Sequence, residues 1–378
     1  MRIPRRILVR TGAAALLTLL FLYAAPRIDT PPWLNWTGPF LLSAVVVFGL
    51  VPLLRPLALR VGLVDRPDQR KHHEGAVPLV GGVAVYLGFL AANLFYGYHQ
   101  QSPAVQGVLI AATMLVAVGM VDDLIGLAPG PKLFVQAAAV AVVVMEGVRV
   151  TFMPETWWGD SLEVAITAVW LIGMTNALNF LDGIDGLAGS LTILAAAAFG
   201  LVAVQTDQPF FLLLCAALAG GCAGFLPYNF RGRPASVFLG DAGSTLLGFS
   251  LASIAIVGEW GGPDAVTLDI VVPLLILGVP IFDTTFITIT RVADGRIRSV
   301  REWLEYTGRD HIHHRLLKLG LDRRDTVGFI CVIASILALS ALTLHNASGR
   351  VAVLSLVQGI IILTVVGRFM LFVERRYH

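Results

Sequence analysis

The sequence is poor in cysteine and in charged residues. Only three of its 378 residues are cysteines, and all three lie within apolar stretches. Buried small hydrophobic side chains explain them better than a disulfide framework or a metal site does. Charged residues make up 14% of the chain and hydrophobic residues 56%. A soluble domain is rarely this apolar, so the composition indicates a polytopic membrane protein.

The chain also lacks the alternating ten-residue segments that would predict a transmembrane β-barrel. It has instead about twelve apolar runs that approach or exceed the roughly 20 residues needed for a membrane-spanning helix. They lie near residues 7–25, 37–59, 77–97, 103–121, 132–149, 162–178, 187–205, 209–227, 240–258, 267–290, 325–345 and 350–373. We therefore predict an all-α polytopic membrane protein with about 11 to 12 transmembrane helices.

Internal repeats, low-complexity tracts and long linkers are not evident, so the chain is one integral domain. We divide it into an additional N-terminal helix with an outer loop at 1–36, a membrane core at 37–345, and a C-terminal helix with a short cytoplasmic tail at 346–378. The first apolar run favours a signal anchor over a cleaved signal, because no clear small-x-small cleavage site follows it before Pro26.

The basic residues set the predicted orientation. On this span assignment the strongly basic loops all fall on one side, which the positive-inside rule makes cytoplasmic. We expect a multi-pass protein of the cell inner or plasma membrane with both termini in the cytoplasm. Because the basic residues are spread along a membrane face, they predict contact with the bilayer and no nucleic-acid partner.

Chemically unusual residues collect in five loops on this predicted cytoplasmic side. The outward loops are short and plain. We therefore predict a single active site at the cytoplasmic face, built from five loops. These loops are 65–82, 122–132, 179–186, 228–244 and 291–325.

The most informative stretch is Asn176 to Gly186, which lies between two apolar runs. Asn176 and Asn179 lie three residues apart on one helical face, and Asp182 and Asp185 repeat that interval. Polar groups are costly at membrane depth and usually mark a site. Their oxygen atoms can bind a hard cation or a phosphate-bound metal.

Two further acidic motifs occur in the predicted loops. Asp122 and Asp123 end the fourth span, where the helix C-terminus is already negative, so a cation or a proton is needed unless the pair is simply solvated. Lys132 begins the next helix. Asp241, between two glycines at the start of the ninth span, is a candidate metal ligand, with an ordinary N-cap as the alternative.

The longest cytoplasmic loop holds three histidines and two arginines within residues 309–315. Guanidinium and imidazole groups suit pyrophosphate recognition. Zinc is the alternative, which the absence of a nearby cysteine and the abundance of oxygen ligands disfavour. We expect Asp283, buried within the tenth span, to have a structural partner such as Arg291, two turns on.

A basic cluster in the first loop includes Arg70, Lys71 and His73. Such a cluster can steer a phosphorylated substrate to the site. It can equally hold anionic lipid headgroups nonspecifically.

In this order the five motifs resemble those of the polyprenyl-phosphate N-acetylhexosamine-1-phosphate transferases of glycosyltransferase family 4. This family includes the bacterial GlcNAc-1-phosphate transferases and the phospho-MurNAc-pentapeptide translocase. The resemblance runs from about Gly62 to Leu321. The His-Ile-His-His-Arg segment at 311–315 is similar to the GlcNAc-1-phosphate branch, whereas residues 298–308 differ from the usual lead into that segment and leave the sugar open.

The resemblance implies transfer of a sugar 1-phosphate, with GlcNAc the best guess, from a UDP-sugar to polyprenyl phosphate with release of UMP. It implies Mg²⁺, or Mn²⁺, held by Asn179 and Asp241. The expected catalytic residues are Asp122, Asp123, Asp182, Asp185 and His314. The expected substrate-binding residues are Arg70, Lys71, His73, Lys132, Asn176, Asp185, His311, His313, His314 and Arg315.

Alternatives remain open. The donor could be another UDP-N-acetylhexosamine or UDP-MurNAc-pentapeptide, and a homodimer is compatible with the sequence. A transporter of anionic metabolites would place its polar groups near mid-membrane, whereas here nearly all lie at one face. A non-catalytic scaffold would have lost an acidic motif residue, and none is missing.

Overall fold

The structure is a computed structural model of the chain. It describes residues 34–66, 75–97, 100, 102–231, 234–261, 266–299, 302, 308 and 310–377. The predicted first span and most of the predicted N-terminal region therefore lie outside the described residues, and so do Arg70, Lys71 and His73.

Helices form almost all of the described chain, which confirms the predicted all-α architecture. The thirteen helices of this part are α1 (Thr37–Val61), α2 (Gly81–Phe95), α3 (Pro103–Ile125), α4 (Pro129–Met145), α5 (Trp157–Leu181), α6 (Leu187–Gln205), α7 (Pro209–Asn229), α8 (Gly240–Val257), α9 (Val266–Ile276), α10 (Gly278–Ala293), α11 (Ile312–Lys318), α12 (Arg323–Leu342) and α13 (Gly349–Tyr377).

Eight of these helices are long and apolar enough to cross a membrane, and α9 and α10 together would make a ninth span. Two shorter apolar helices, α2 and α4, have 15 and 17 residues. Each predicted span from residue 37 onward coincides with one of these helices or with the bent pair. The prediction of a polytopic membrane protein is therefore confirmed.

The tenth predicted span differs from the expectation of one continuous helix. The structure divides residues 267–290 between α9 and α10, whose axes are bent by 75°. Pro280 lacks the N–H that would bond to the carbonyl of Ile276, four residues earlier. Sharp helix kinks usually have such a cause. Because of the bend, α10 and its polar residues do not continue along the axis of α9.

A short β-hairpin, which the sequence did not predict, precedes α2. Strand β1 (Val64–Asp65) pairs antiparallel with β2 (Val77–Pro78). Phe238 N donates to the carbonyl of Pro78 at 2.9 Å, and Gly82 N donates to the carbonyl of Leu239 at 2.8 Å. These bonds attach the residues before α8 to the hairpin and to the start of α2, so the start of α8 is held in place.

Helix α8 is the centre of the bundle, and residues 242–255 are buried without interruption. Glycines let its neighbours approach it at backbone distance, as small residues do in membrane proteins. A Cβ atom on Gly82 of α2 would lie 2.2 Å from Gly243 N. One on Gly119 of α3 would lie 2.4 Å from the Cα atom of Ala242. The same crossings bring the end of α3 next to the start of α8.

Candidate active site

A cavity of about 800 Å³ opens where the ends of α3 and α5 and the start of α8 meet α11 and α12. Each of the five predicted loops contributes to it, so the loops meet at one site, as predicted. Its described lining residues are Asp65, Leu79, Asp122, Asp123, Gly126, Asn179, Asp182, Gly183, Ile184, Asp185, Asn229, Phe238, Leu239, Gly240, Asp241, Ser244, His314, Leu317, Lys318 and Arg323.

Lys132 joins two of the predicted acidic motifs. Its Nζ atom lies 2.9 Å from Asp122 Oδ2 and 2.9 Å from Asp241 Oδ2. The other oxygen of Asp122 accepts a 2.6 Å bond from the backbone N–H of Leu127. The lysine, predicted as a substrate ligand, therefore neutralises part of the charge of the acidic wall.

Asp123 has different contacts although it adjoins Asp122. Its Oδ1 accepts a 2.9 Å bond from Asp241 N, and its Oδ2 a 3.4 Å bond from Ala242 N. A carboxylate at the first N–H groups of a helix is favourable because these groups have no helical partner. Gly240 has φ +74°, and a Cβ atom there would lie 2.5 Å from Asp123 Oδ2. Asp123 thus caps α8 from another helix and fixes the position of Asp241.

The two motif asparagines have separate environments. Asn179 donates to Asp241 Oδ1 at 3.1 Å and to Ser244 Oγ at 2.8 Å, so it lies in the cavity. Asn176, one turn earlier, donates to Gln136 Oε1 at 2.9 Å and does not line the cavity. Asn176 therefore joins α5 to α4, and its predicted contact with the substrate stays a prediction.

The loop after α5 carries both remaining motif aspartates. Burial raises the pKa of Asp182 well above its usual value, and the charges of Asp241, Asp123 and Asp185 add to that shift. Asn229, which the sequence analysis missed, accepts a 2.6 Å bond from Gly186 N and fixes the end of this loop.

Two side chains of α10, Asp283 and Arg291, hold the histidine segment. His311 Nδ1 lies 2.7 Å from Asp283 Oδ2, and Ile312 N donates to Asp283 Oδ1 at 2.7 Å. Arg291 donates to both oxygens of Asp310, at 2.8 and 2.5 Å. The expectation that Arg291 is the partner of Asp283 is therefore wrong, because two turns of α10 hold the two side chains apart and each bonds to the histidine segment instead.

Asp310 is held in its charged form by this contact. Burial alone would raise its pKa, but the hydrogen bonds and charge of Arg291 outweigh burial and lower the pKa. Arg315 Nε donates to the Asp310 carbonyl at 2.7 Å, and its guanidinium lies over the Phe286 ring, 5.7 Å from the centroid. Arg315 therefore does not line the cavity, and its predicted grip on a diphosphate stays a prediction.

The histidines of this segment differ in exposure. His313 is fully buried, and neither ring nitrogen has a hydrogen-bond partner among the described residues. Burial lowers its pKa well below the usual value, and His314 and His311 lower it further. His313 is therefore neutral at pH 7. His314, whose ring centroid lies 4.2 Å from that of His313, is the histidine that lines the cavity.

The donor atoms fit a hard cation better than zinc. The acidic wall consists of carboxylates together with the Asn179 amide. Oxygen ligands of this kind suit magnesium or manganese. Within the described part of the chain, no three His, Cys, Asp or Glu side chains are already grouped as a metal site. Of the three histidines of this segment, His311 is engaged with Asp283 and His313 is fully buried, which leaves only His314 of the three at the cavity wall.

The structure thus places most of the predicted site residues together. Asp122, Asp123, Asn179, Asp182, Asp185, Asp241 and His314 line the cavity, and Lys132 contacts two of them. The lining of the cavity does not include four other predicted residues, Asn176, His311, His313 and Arg315. Two further lining residues, Lys318 and Arg323, were not predicted as site residues. The adjacent basic residues Arg323 and Arg324 at a helix start could have indicated a binding site there.

Fold and site together define an integral membrane protein with an acidic, oxygen-rich cavity at one end of its helices. The profile of the family described as glycosyl transferase family 4 matches residues 105–259. Comparison with curated proteins adds relatives that cover most of the chain.

The chain is 32% identical over 315 residues to the probable undecaprenyl-phosphate N-acetylglucosaminyl 1-phosphate transferase of Bacillus subtilis, covering 82% of this chain and 85% of the relative. It is 33% identical to the undecaprenyl-phosphate alpha-N-acetylglucosaminyl 1-phosphate transferase of Yersinia pestis, covering 79% and 80%. It is 30% identical to the decaprenyl-phosphate N-acetylglucosaminephosphotransferase of Mycolicibacterium smegmatis, covering 80% of each. The chain therefore belongs to the polyprenyl-phosphate sugar-1-phosphate transferases of glycosyl transferase family 4.

Proposed function

We propose that this protein transfers GlcNAc 1-phosphate from UDP-GlcNAc to undecaprenyl phosphate and releases UMP. The product would be the lipid-diphospho-sugar that initiates an envelope glycan. The observation that carries the proposal is the convergence of five aspartates from α3, α8 and the loop after α5 on one cavity at the helix ends. The names of the relatives support both the lipid acceptor and the sugar.

The reaction balances without a redox step. An oxygen of the lipid phosphate attacks the phosphorus that carries the sugar, and a new phosphoanhydride bond forms. The bond from that phosphorus to the oxygen of UMP breaks, so UMP leaves with the electron pair. Phosphoryl transfer of this kind depends mainly on positioning and on neutralising charge.

The chain's own residues divide these tasks. Asp241 and Asn179 would hold magnesium or manganese, which would supply positive charge to the phosphoryl oxygens. Asp123 positions Asp241 by capping α8, and Lys132 keeps the carboxylates of Asp122 and Asp241 together. His314 lies at the cavity wall, where an imidazole N–H would donate to a phosphate oxygen.

We also propose that the cavity faces the cytoplasm of a bacterial plasma membrane. The distribution of basic loops supports this orientation. A transporter is less well supported, because the cavity lies at the helix ends and not at mid-membrane.

A donor panel tests the proposal. Purified protein is incubated with undecaprenyl phosphate, magnesium and, separately, UDP-GlcNAc, UDP-GalNAc and UDP-MurNAc-pentapeptide. UMP release and the lipid product are measured by mass spectrometry. We expect UMP and a lipid-diphospho-GlcNAc of matching amount. A product only with another donor would refute the sugar, and no product with any donor from folded protein would refute the transferase.

A further inference from the structure

The charge of the cavity is strongly one-sided. Six of its described lining residues are aspartates, against one lysine and one arginine. Lys132, just behind the lining, is engaged with two of these aspartates. A nucleotide diphosphate would therefore meet like charges over most of the wall, and like charges at close range cost free energy. Binding therefore requires cationic groups at the cavity wall.

Helix α11 and the start of α12 form a further wall of the cavity. His314, Leu317 and Lys318 recur at the spacing of one helical face, and all three line the cavity. Arg323, the first residue of α12, lines it as well. The two side chains with permanent positive charge are thus Lys318 and Arg323, five residues apart and on the same side of the cavity.

Arg323 is anchored to the cavity. Its Nη1 atom lies 3.2 Å from Asp185 Oδ2, and the Asp185 side chain is only 16% exposed. The loop that carries Asp185 is itself fixed by the bond from Gly186 N to Asn229. A guanidinium has five N–H donors in a planar fork, so such a group can contact a carboxylate and phosphate oxygens at the same time.

From this geometry we infer that Arg323, assisted by Lys318, binds the diphosphate of the nucleotide donor. The inference rests on the proposed function, since it names the residues that receive its donor substrate. We assign the pair to the nucleotide and not to the lipid phosphate because Arg323 begins α12 and its side chain is 42% exposed. A water-soluble substrate enters from that end of a span, whereas the lipid arrives from the bilayer.

The first test compares Arg323→Ala with Arg324→Ala. Arg324 is the adjacent, exposed arginine and does not line the cavity, so it is a matched control. For Arg323→Ala we expect KM for the UDP-sugar to rise about tenfold or more, since charged hydrogen bonds to phosphate are lost. We expect kcat and KM for undecaprenyl phosphate to change by less than about threefold. Lys318→Ala should shift the same KM by a smaller factor.

Two outcomes of the kinetics would overturn the inference. One is an unchanged KM for the UDP-sugar in Arg323→Ala. The other is a rise in KM for undecaprenyl phosphate alone, which would assign the arginine to the lipid. If Arg323→Ala does not fold, Arg323→Lys replaces it, because it keeps the charge and loses the fork; an intermediate KM is then expected, and a wild-type KM would refute the role.

The second test does not depend on turnover. Binding of UDP and of uridine to the purified protein with magnesium is measured by calorimetry. Arg323→Ala should weaken UDP binding about tenfold and leave uridine binding unchanged, because uridine has no phosphate. Equal losses for both ligands would indicate a structural role and refute the inference. If the wild-type protein transfers no sugar phosphate, the proposed function fails, while this comparison still decides the role of Arg323.

Discussion

Asp182 shows how the site conflicts with the stability of the fold. The side chain lies at the end of α5 among Asp241, Asp123 and Asp185, and burial together with these charges raises its pKa. A carboxyl group whose pKa is raised in the folded state is unfavourable when ionised. Its charge therefore destabilises the protein as pH rises above the unfolded pKa of about 3.9.

The prediction is that Asp182→Asn stabilises the protein while it abolishes transfer. In a chelator, its Tm should exceed the wild-type Tm by a few degrees at pH 8, and the difference should shrink as pH falls toward 5. Asp160→Asn, in an exposed pair with Arg149, is the control and should leave Tm nearly unchanged. A Tm gain that is absent at pH 8, or that grows in acid, would contradict the account.

Gly183 is constrained by a buried histidine. A Cβ atom at Gly183 would lie 2.2 Å from Nε2 of His313, and His313 is fully buried, so its ring can shift only if its neighbours shift as well. A side chain at this position must displace the His313 ring or the loop that carries Asp182 and Asp185. The absence of a side chain at Gly183 thus keeps two aspartates in the cavity.

We predict that Gly183→Ala lowers kcat at least tenfold, because a 1 Å displacement of catalytic groups has effects of this size or larger. Gly173→Ala is the matched control, since an added Cβ there contacts nothing within 4 Å. The control should retain wild-type kcat and gain up to about 1 kcal/mol of stability from better helix propensity. Equal activity of the two variants in the UMP-release assay would refute this role of Gly183.

At the scale of elements, the crossing of α3 with α8 sets the distance between the acidic motifs. Gly119 lies where the two backbones touch, and a Cβ atom there would meet the Cα atom of Ala242 at 2.4 Å. Backbone cannot move aside as a flexible side chain can. A larger residue must push α3 away from the helix that carries Asp241.

Gly119→Ala is therefore expected to destabilise the protein by about 1–3 kcal/mol and to reduce kcat, since overpacking shifts the backbone. Gly328→Ala in α12 has open space around the added Cβ and serves as the control. Thermal unfolding in detergent and UMP release give the two readouts. Wild-type stability and activity in Gly119→Ala would contradict the idea that close packing positions the site.

The sequence was sufficient to predict which segments form helices, but it did not predict how neighbouring helices are joined. Long apolar runs specify membrane helices directly, and every predicted span from residue 37 onward has its helix or bent pair. The 75° bend at Pro280 was a missed consequence of a visible proline. The hairpin of Val64–Asp65 and Val77–Pro78 has two residues per strand, too few for any sequence period to reveal.

At the scale of the whole molecule, the sequence predicted which loops converge, because membrane topology places alternate loops on one side. It did not predict which side chain of a motif faces the cavity. Asp122 and Asp123 are adjacent and chemically identical, yet one binds Lys132 and the other caps α8. Such assignments depend on contacts between residues more than one hundred positions apart, as between Asp123 and Ala242.

The lipid-facing surface agrees with this topology. Large apolar side chains are exposed along α12 and α13, where a soluble protein would bury them. Examples on α13 are Leu354, Ile361 and Phe369, which are exposed by 67%, 56% and 61%. The bilayer is the solvent for this surface, so the polar cavity is the chemically distinct part of the molecule.

The measurement that tests the central claim most directly is UMP release by the wild-type protein and by Asp241→Asn, each in undecaprenyl-phosphate nanodiscs with UDP-GlcNAc, with and without magnesium. We predict magnesium-dependent UMP and lipid-diphospho-GlcNAc from the wild type. From Asp241→Asn we predict a loss of at least one hundredfold while the protein stays folded, since the side chain lies in the first turn of α8, is 29% exposed and adds little packing. Wild-type rates in Asp241→Asn, or equal rates in a chelator, would contradict the account.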